Sequence, residues 1–349
     1  MPYSVIFSVT CLAFFFSESV VAQGQQNQAQ ILQRLLQRFP QADANGDGTL
    51  TEQEARAFQQ QRRRQQQTSS PEKTPTHANV HYGPHDRQVL DLYLAESRQP
   101  TPLIIYIHGG GFVGGDKKSV SARIIQESHK SGISVAAIHY RFVTEVPFPA
   151  PQLDAARAVQ FLRANSEKYN LDPKRLAAYG GSAGAGLSLW LGFHDDLADP
   201  KSADPIARQS TRLVVVGSRG GQTSYDPYVI KKWIGGRAYE HPSIYKCYGI
   251  TSIDQISDAQ LQPLFDEVSA IKHLTKDDPP VHMVYSEADA PLPEDARPGQ
   301  GIHHPIFGQK LVAAMNDLGI ESVYRHTDNF QENTDLDMLE FFKQHLDVE

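Results

Sequence analysis

Tyr179-Gly180-Gly181-Ser182-Ala183-Gly184-Ala185-Gly186 follows a short apolar run, Leu176-Ala177-Ala178, and leads directly into the helix-like stretch 187–193. An apolar strand, then G-x-S-x-G, then an apolar helix is the pattern of a sharp turn that pushes a serine hydroxyl outward. Gly180 and Gly184 leave room for that turn. The helix that follows points its first amides, Ala183's among them, toward the place where an oxyanion would form. Ser182 is therefore the candidate nucleophile. Glycine-rich strand-to-helix turns also occur without any chemistry, so a second motif is needed.

The second motif lies about 70 residues upstream. Leu103-Ile104-Ile105-Tyr106-Ile107 reads as a buried strand and ends in His108-Gly109-Gly110-Gly111-Phe112. Without side chains, Gly110 and Gly111 can bring their backbone N–H groups close to a substrate oxygen, the H-G-G-G form of oxyanion hole, with the Ala183 amide as third donor. One such donor is typically worth about 10² to 10³ in rate, so an acyl-transfer site has a physical reason to keep this loop bare.

These motifs, with H-Y-R-F at 139–142, the L-D-A-A-R-A-V-Q-F-L-R run at 153–163 and D-P-K-R-L-A-A-Y-G-G-S-A-G at 172–184, resemble the α/β-hydrolase superfamily. The similarity is strongest to its hormone-sensitive-lipase-like and feruloyl-esterase-like carboxylesterases, and it spans roughly residues 79–349. The resemblance implies an α/β fold with a doubly wound, mostly parallel sheet. Apolar runs agree, with strands expected at 89–94, 103–107, 133–140, 176–179, 213–216, 281–285 and 322–326, and helices at 153–169, 304–318 and 336–346. Residues 225–278, irregular in period and rich in Tyr and Pro, stand where relatives carry a lid or pocket insertion.

The resemblance also implies an acid and a histidine. Val281–Tyr285 reads as the penultimate strand and Ser286-Glu287-Ala288-Asp289 takes the place of the family's G-x-x-D turn, making Asp289 the carried-over acid and Glu287 its competitor. The family's histidine follows the last strand, where this chain has His326-Thr327-Asp328-Asn329-Phe330. His326 is the expected base if that strand ends early. His303 and His304, in the long loop after Asp289, are the other possibilities.

Residues 43–54, D-A-N-G-D-G-T-L-T-E-Q-E, carry a different pattern. Asp43, Asn45 and Asp47 fall at positions 1, 3 and 5, Gly48 at the sharp turn, Thr49 offers a carbonyl at 7 and Glu54 a bidentate carboxylate at 12, which is how an EF-hand wraps calcium. Apolar residues at helical spacing precede the loop and a good helix former follows it. The loop resembles a single EF-hand, in a small helical module spanning 27–62. A solvated acidic turn is the bland alternative.

Before it, Val5–Phe16 is apolar but shorter than a bilayer span and is followed by Val20-Val21-Ala22, so residues 1–22 read as an export signal, although no Lys or Arg precedes the apolar core. The expected destination is the periplasm or the exterior. Residues 63–78 are polar and low in complexity and read as a flexible linker. His77, His81 and His85 recur every four residues, but Gly83 and Pro84 deny them one helical face, and His194 reads as a solvated helix end. Of two cysteines only Cys247 would survive signal cleavage, so no internal disulfide is available. A formal charge of −7 is ordinary, and no basic patch argues for a nucleic-acid partner, so none is expected.

The expected protein is an exported carboxylic-ester hydrolase acting on small-molecule or carbohydrate-linked esters, with calcium as a structural ion, no cofactor in catalysis and no stable membrane span. The competing expectation is a hydrolase fold that has lost its base and serves as a calcium-dependent binding module.

Overall fold

The computed structural model describes residues 32–33, 36–37, 39–58, 73–251, 255 and 259–348. The expected signal segment, 1–22, lies outside the described residues. The chain divides into two compact units, Met1–Ser70 and Pro71–Glu349. Of the expected linker, residues 73–78 belong to the larger unit: Lys73 Nζ donates to the Val120 carbonyl at 2.8 Å, and Thr76 Oγ1 accepts from the Leu94 amide at 3.0 Å.

In the larger unit eight strands form one sheet in the order β1-β2-β4-β3-β5-β6-β7-β8. They are β1 His77–His81, β2 Val89–Tyr93, β3 Thr101–Ile107, β4 Ser134–Ile138, β5 Leu171–Gly181, β6 Val215–Arg219, β7 Val281–Tyr285 and β8 Ser322–His326. β2 runs antiparallel to both its neighbours, and every pairing from β4 onward is parallel. The helices are α1 Ala122–Lys130, α2 Ala150–Ala164, α3 Ala183–Phe193, α4 Pro227–Ile234, α5 Pro242–Tyr248, α6 Gln262–Val268, α7 Ile306–Leu318 and α8 Thr334–His345.

The central strands are apolar on both faces because both faces are covered. On β3, Leu103, Ile105 and Ile107 join the large core with α2 and α3, while Ile104 turns to the opposite face, where Met338 and Phe342 of α8 pack on Ala177 and Val215. β1 was not expected: its sequence, H-A-N-V-H, is exposed at every position but Val80 and carries no apolar face to read. β6 starts two residues later than expected and pairs Val215–Arg219 with Ala177–Gly181.

This order places the ends of β3 and β5 side by side, where successive crossovers leave in opposite directions. Such a switch point opens a crevice at the carboxyl ends of the strands. Both glycine-rich motifs leave the sheet there.

In the smaller unit, Ala42, Leu50 and Ala55 form a minimal core with Leu32, Leu36, Phe39 and Phe58 against it. Gly46 and Gly48 take φ of 72° and 80°.

Candidate active site

Ser182 stands between β5 and α3 with φ 53° and ψ −121°, a backbone conformation that side chains rarely adopt. Its glycine neighbours are required: a Cβ on Gly184 would lie 2.0 Å from the Ile107 carbonyl oxygen, and one on Gly180 would lie 2.5 Å from the same atom. The turn is pinned by the Ser182 amide donating to the Arg219 carbonyl at 2.9 Å.

His303 is the histidine that reaches it. Its Nε2 lies 2.8 Å from Ser182 Oγ, and its Nδ1 lies 3.2 Å from Glu287 Oε1. Both partners come from one loop, which leaves the carboxyl end of β7 and returns to the start of α7. Gly220, at φ 60°, lets that loop close: a Cβ there would stand 3.3 Å from His303 Cβ.

Two sequence expectations are corrected here. His326, expected as the base, has both ring nitrogens engaged elsewhere, Nε2 at 2.8 Å from the Glu287 carbonyl oxygen and Nδ1 accepting from the Asp328 amide at 3.3 Å. As the last residue of β8 it stays in register with Tyr285, below the turn that carries Glu287. Asp289, expected as the acid, is exposed and accepts from Gln309 Nε2 at 2.6 Å. Glu287 takes its place because it is two residues closer to the strand end, under His303. His304 is structural, with Nε2 3.0 Å from the Ala290 carbonyl and Nδ1 accepting from the Ile306 amide at 3.1 Å.

Gly110, Gly111, Ser182 and Ala183 all line one cavity of about 270 Å³. Gly110 and Gly111 take φ of 113° and 59°, and a Cβ on Gly110 would meet the Gly114 carbonyl oxygen at 2.3 Å. Ala183 begins α3, so its amide has no carbonyl four residues back to bond. The three expected oxyanion donors thus border the same space as the serine. The rest of the wall is mostly apolar, from Phe112, Ile230, Ile244, Ile302 and Phe307, and much of it comes from residues 225–247. Polar groups are few: Gln222, Ser243, and His241, which burial and then the charge of His303 hold below the usual histidine range. Cys247 also lines it, and burial pushes its thiol up, so it stays protonated. On the other side of Ser182 a second, more open cavity of about 360 Å³ is bordered by Arg219, Ser286, His303 and Thr327. Arg219 is held by Asp335 and by Thr334 Oγ1.

At the start of the glycine loop 109–111, His108 is fully buried and stacks on Tyr140 at 4.4 Å. Its Nδ1 meets the Gly109 carbonyl at 2.8 Å and its Nε2 meets His139 Nδ1 at 3.2 Å. Burial pushes His108 down to about 4, and burial together with the neighbouring His108 does the same to His139. Both rings are thereby held toward the neutral form.

In the 43–54 loop each expected side-chain ligand has a present partner. Asp43 accepts from the Gly46 and Gly48 amides, both at 2.8 Å, Asn45 Oδ1 from the Asp47 amide at 2.9 Å, and Asp47 Oδ1 from the Thr49 amide at 2.8 Å. Glu54 Oε2 accepts from the Thr51 hydroxyl at 2.6 Å and amide at 3.0 Å, while Thr51 Oγ1 accepts from the Glu54 amide at 3.2 Å. That reciprocal pair is a capping box for the helix at 52–58. It also holds the Glu54 carboxyl below its usual range, with smaller help from the Asn45 and Ala44 amides across the loop.

With this geometry in hand, the family model BD-FAE matches residues 90–296, more than half of the chain. The chain belongs to the BD-FAE family. Among curated relatives, Esterase LipC of Mycobacterium tuberculosis is 25% identical over 221 residues, covering 62% of this chain and 52% of its own. Versiconal hemiacetal acetate esterase of Dothistroma septosporum is 30% identical over 124 residues, 35% of each chain. The chain thus spans about half the length, or less, of these relatives. Among solved structures, a truncated carbohydrate esterase from gut microbiota superposes with a TM-score of 0.60 at 20% identity, over 79% of this chain and 99% of that one. The acetyl ester-xyloside bifunctional hydrolase of Caldicellulosiruptor lactoaceticus gives 0.57 at 22% identity, over 80% and 93%. These likenesses establish the α/β-hydrolase fold. Among the described residues no helix is long and apolar enough to cross a membrane.

Proposed function

We propose that the larger unit hydrolyses carboxylic esters through Ser182, His303 and Glu287. The observation that carries this reading is the 2.8 Å contact between His303 Nε2 and Ser182 Oγ at the edge of a cavity that Gly110, Gly111 and Ala183 also border. Ser182 Oγ attacks the ester carbonyl as its proton passes to His303 Nε2, and the three backbone amides receive the charge that develops on the carbonyl oxygen. His303 then protonates the departing alcohol. Water attacks the acyl-serine, giving its proton to His303, and the acid leaves as Ser182 recovers its hydrogen. Glu287 holds the imidazole in the tautomer with Nδ1–H and steadies the imidazolium. The competing binding-only reading rested on a serine without a base, and the contact of His303 with Ser182 supports the catalytic reading over it.

The apolar cavity suits the acyl group and the open, more polar one beside Arg219 suits the alcohol. At about 270 Å³ the acyl side lies at the small end for ligand pockets, which favours short acyl chains. Two structural neighbours, a carbohydrate esterase and an acetyl ester-xyloside hydrolase, support a sugar-linked alcohol. The loop at 43–54 suits a hard cation: Asp43, Asn45, Asp47, the Thr49 carbonyl and Glu54 would hold calcium, which would lock the loop. Export is part of the same reading.

The test is turnover of p-nitrophenyl esters of rising acyl length. The purified protein should favour acetate and butyrate over dodecanoate, and a folded Ser182→Ala variant should lose the activity. Unchanged turnover in that variant would remove the nucleophile assignment.

A further inference from the structure

At the far end of the nucleophile helix from Ser182, His194 closes α3 opposite Glu267 of α6 and His273, which follows the short 3-10 turn after α6. One ligand atom from each of these side chains lies within 4.8 Å of the other two. His194 Nε2 stands 3.2 Å from Glu267 Oε1, and His194 Nδ1 stands 2.8 Å from the Asp195 carbonyl oxygen. A carbonyl only accepts, so Nδ1 carries the hydrogen and the Nε2 lone pair faces the carboxylate. Two lone pairs at that distance repel unless something electrophilic lies between them. A proton joins two such atoms; the convergence of a third donor, His273, describes a cation instead.

The surroundings hold the donors in place. His194 packs against Trp190 at 4.3 Å and against the His273 ring at 4.6 Å. The Glu267 carbonyl accepts from Trp190 Nε1 at 2.7 Å and meets His273 Nε2 at 2.7 Å. Outer contacts of this kind orient metal-binding imidazoles. A tetrahedral ion with bonds of about 2.0–2.1 Å sets its ligands roughly 3.3 Å apart, close to the His194–Glu267 separation. The negative end of the α3 dipole points the same way.

We propose that His194, Glu267 and His273 bind a divalent transition cation of the zinc type, with water completing the shell. Two imidazoles select such an ion over calcium, which takes oxygen ligands. The ion clamps α6, part of the insertion, to the end of the helix that begins at Ser182. It acts on the stability of the larger unit and not on the chemistry at the serine.

The full-length protein, stripped with a chelator, is titrated with zinc chloride by calorimetry and melted with and without zinc. Cobalt(II) serves as a spectroscopic probe. Wild type should bind zinc, melt at a higher temperature with it, and give the intense visible absorption of tetrahedral cobalt. Glu267→Gln and His273→Gln should each weaken zinc binding more than ~10-fold and abolish both the melting shift and the cobalt band. If His273→Gln does not fold, Glu267→Gln, which keeps the side chain's shape, decides alone. Absence of zinc binding in wild type, or a loss below tenfold in a folded variant, overturns the site.

Discussion

Ser182 is held in a backbone conformation that costs on the order of 1–3 kcal/mol, and the surrounding glycines at 180 and 184 make it tolerable. The choice between the neighbouring carboxylates is testable at the same scale. Glu287→Gln should keep the fold and lower kcat by several orders of magnitude, of the ~10⁴ kind seen when a triad acid loses its charge, whereas Asp289→Asn should stay within a few-fold of wild type. Steady-state kinetics on both variants checks this, and the reverse ranking would restore Asp289. The turn that carries Ser182 and the bare loop at 109–111 were legible because each motif is contiguous and its glycines answer a local steric demand. Glu287 and His303 were legible only as alternatives. Their selection depends on how a 17-residue stretch from Glu287 to His303 folds back over the sheet edge, and no local pattern encodes that path.

At the scale of elements, the loops after β3 and β4 share the paired rings of His108, buried, and His139, half-buried, and this gives the larger unit a pH signature. Unfolded histidines titrate near 6.5. In the folded protein both are pushed down to about 4, chiefly by burial. Between those values the unfolded chain binds more protons, so stability is full above about 6.5 and falls as pH drops toward about 4. Denaturant midpoints measured across that window should decrease with falling pH, and His139→Gln should flatten the slope; an unchanged slope would place the titrating groups elsewhere. The central strands β3 and β4 were readable because burial on both faces leaves a nearly unbroken apolar run. β1 was not, since an exposed edge strand has no such run, and neither were α4, α5 and α6. Those are only eight, seven and seven residues long, and α4 and α5 take their order from the pocket wall they pack into.

At the scale of the whole molecule, the two units have separate cores, and their joining segment is low in apolar residues. Calcium should therefore bind residues 43–54 weakly, at about 10⁻⁴–10⁻³ M for a single extracellular-type loop, and leave the melting of the larger unit where it is. Glu54→Gln should weaken that binding in calorimetry. Wild-type affinity in the variant would contradict the ligand set, and a calcium-dependent shift in the main transition would contradict the independence of the units. The EF-hand spacing was complete in sequence, but Glu54 also serves as a helix-capping carboxylate, a role the same T-x-x-E spacing allows.

The central claim, that Ser182 is activated by His303, is tested most directly by a serine-directed phosphonate with mapping of the labelled peptide and the labelling rate followed in parallel variants. Label on Ser182, formed ~10³-fold or more slowly in His303→Ala and at near wild-type rate in His304→Ala, is the predicted result. No label on Ser182, or a rate untouched by His303→Ala, would contradict it.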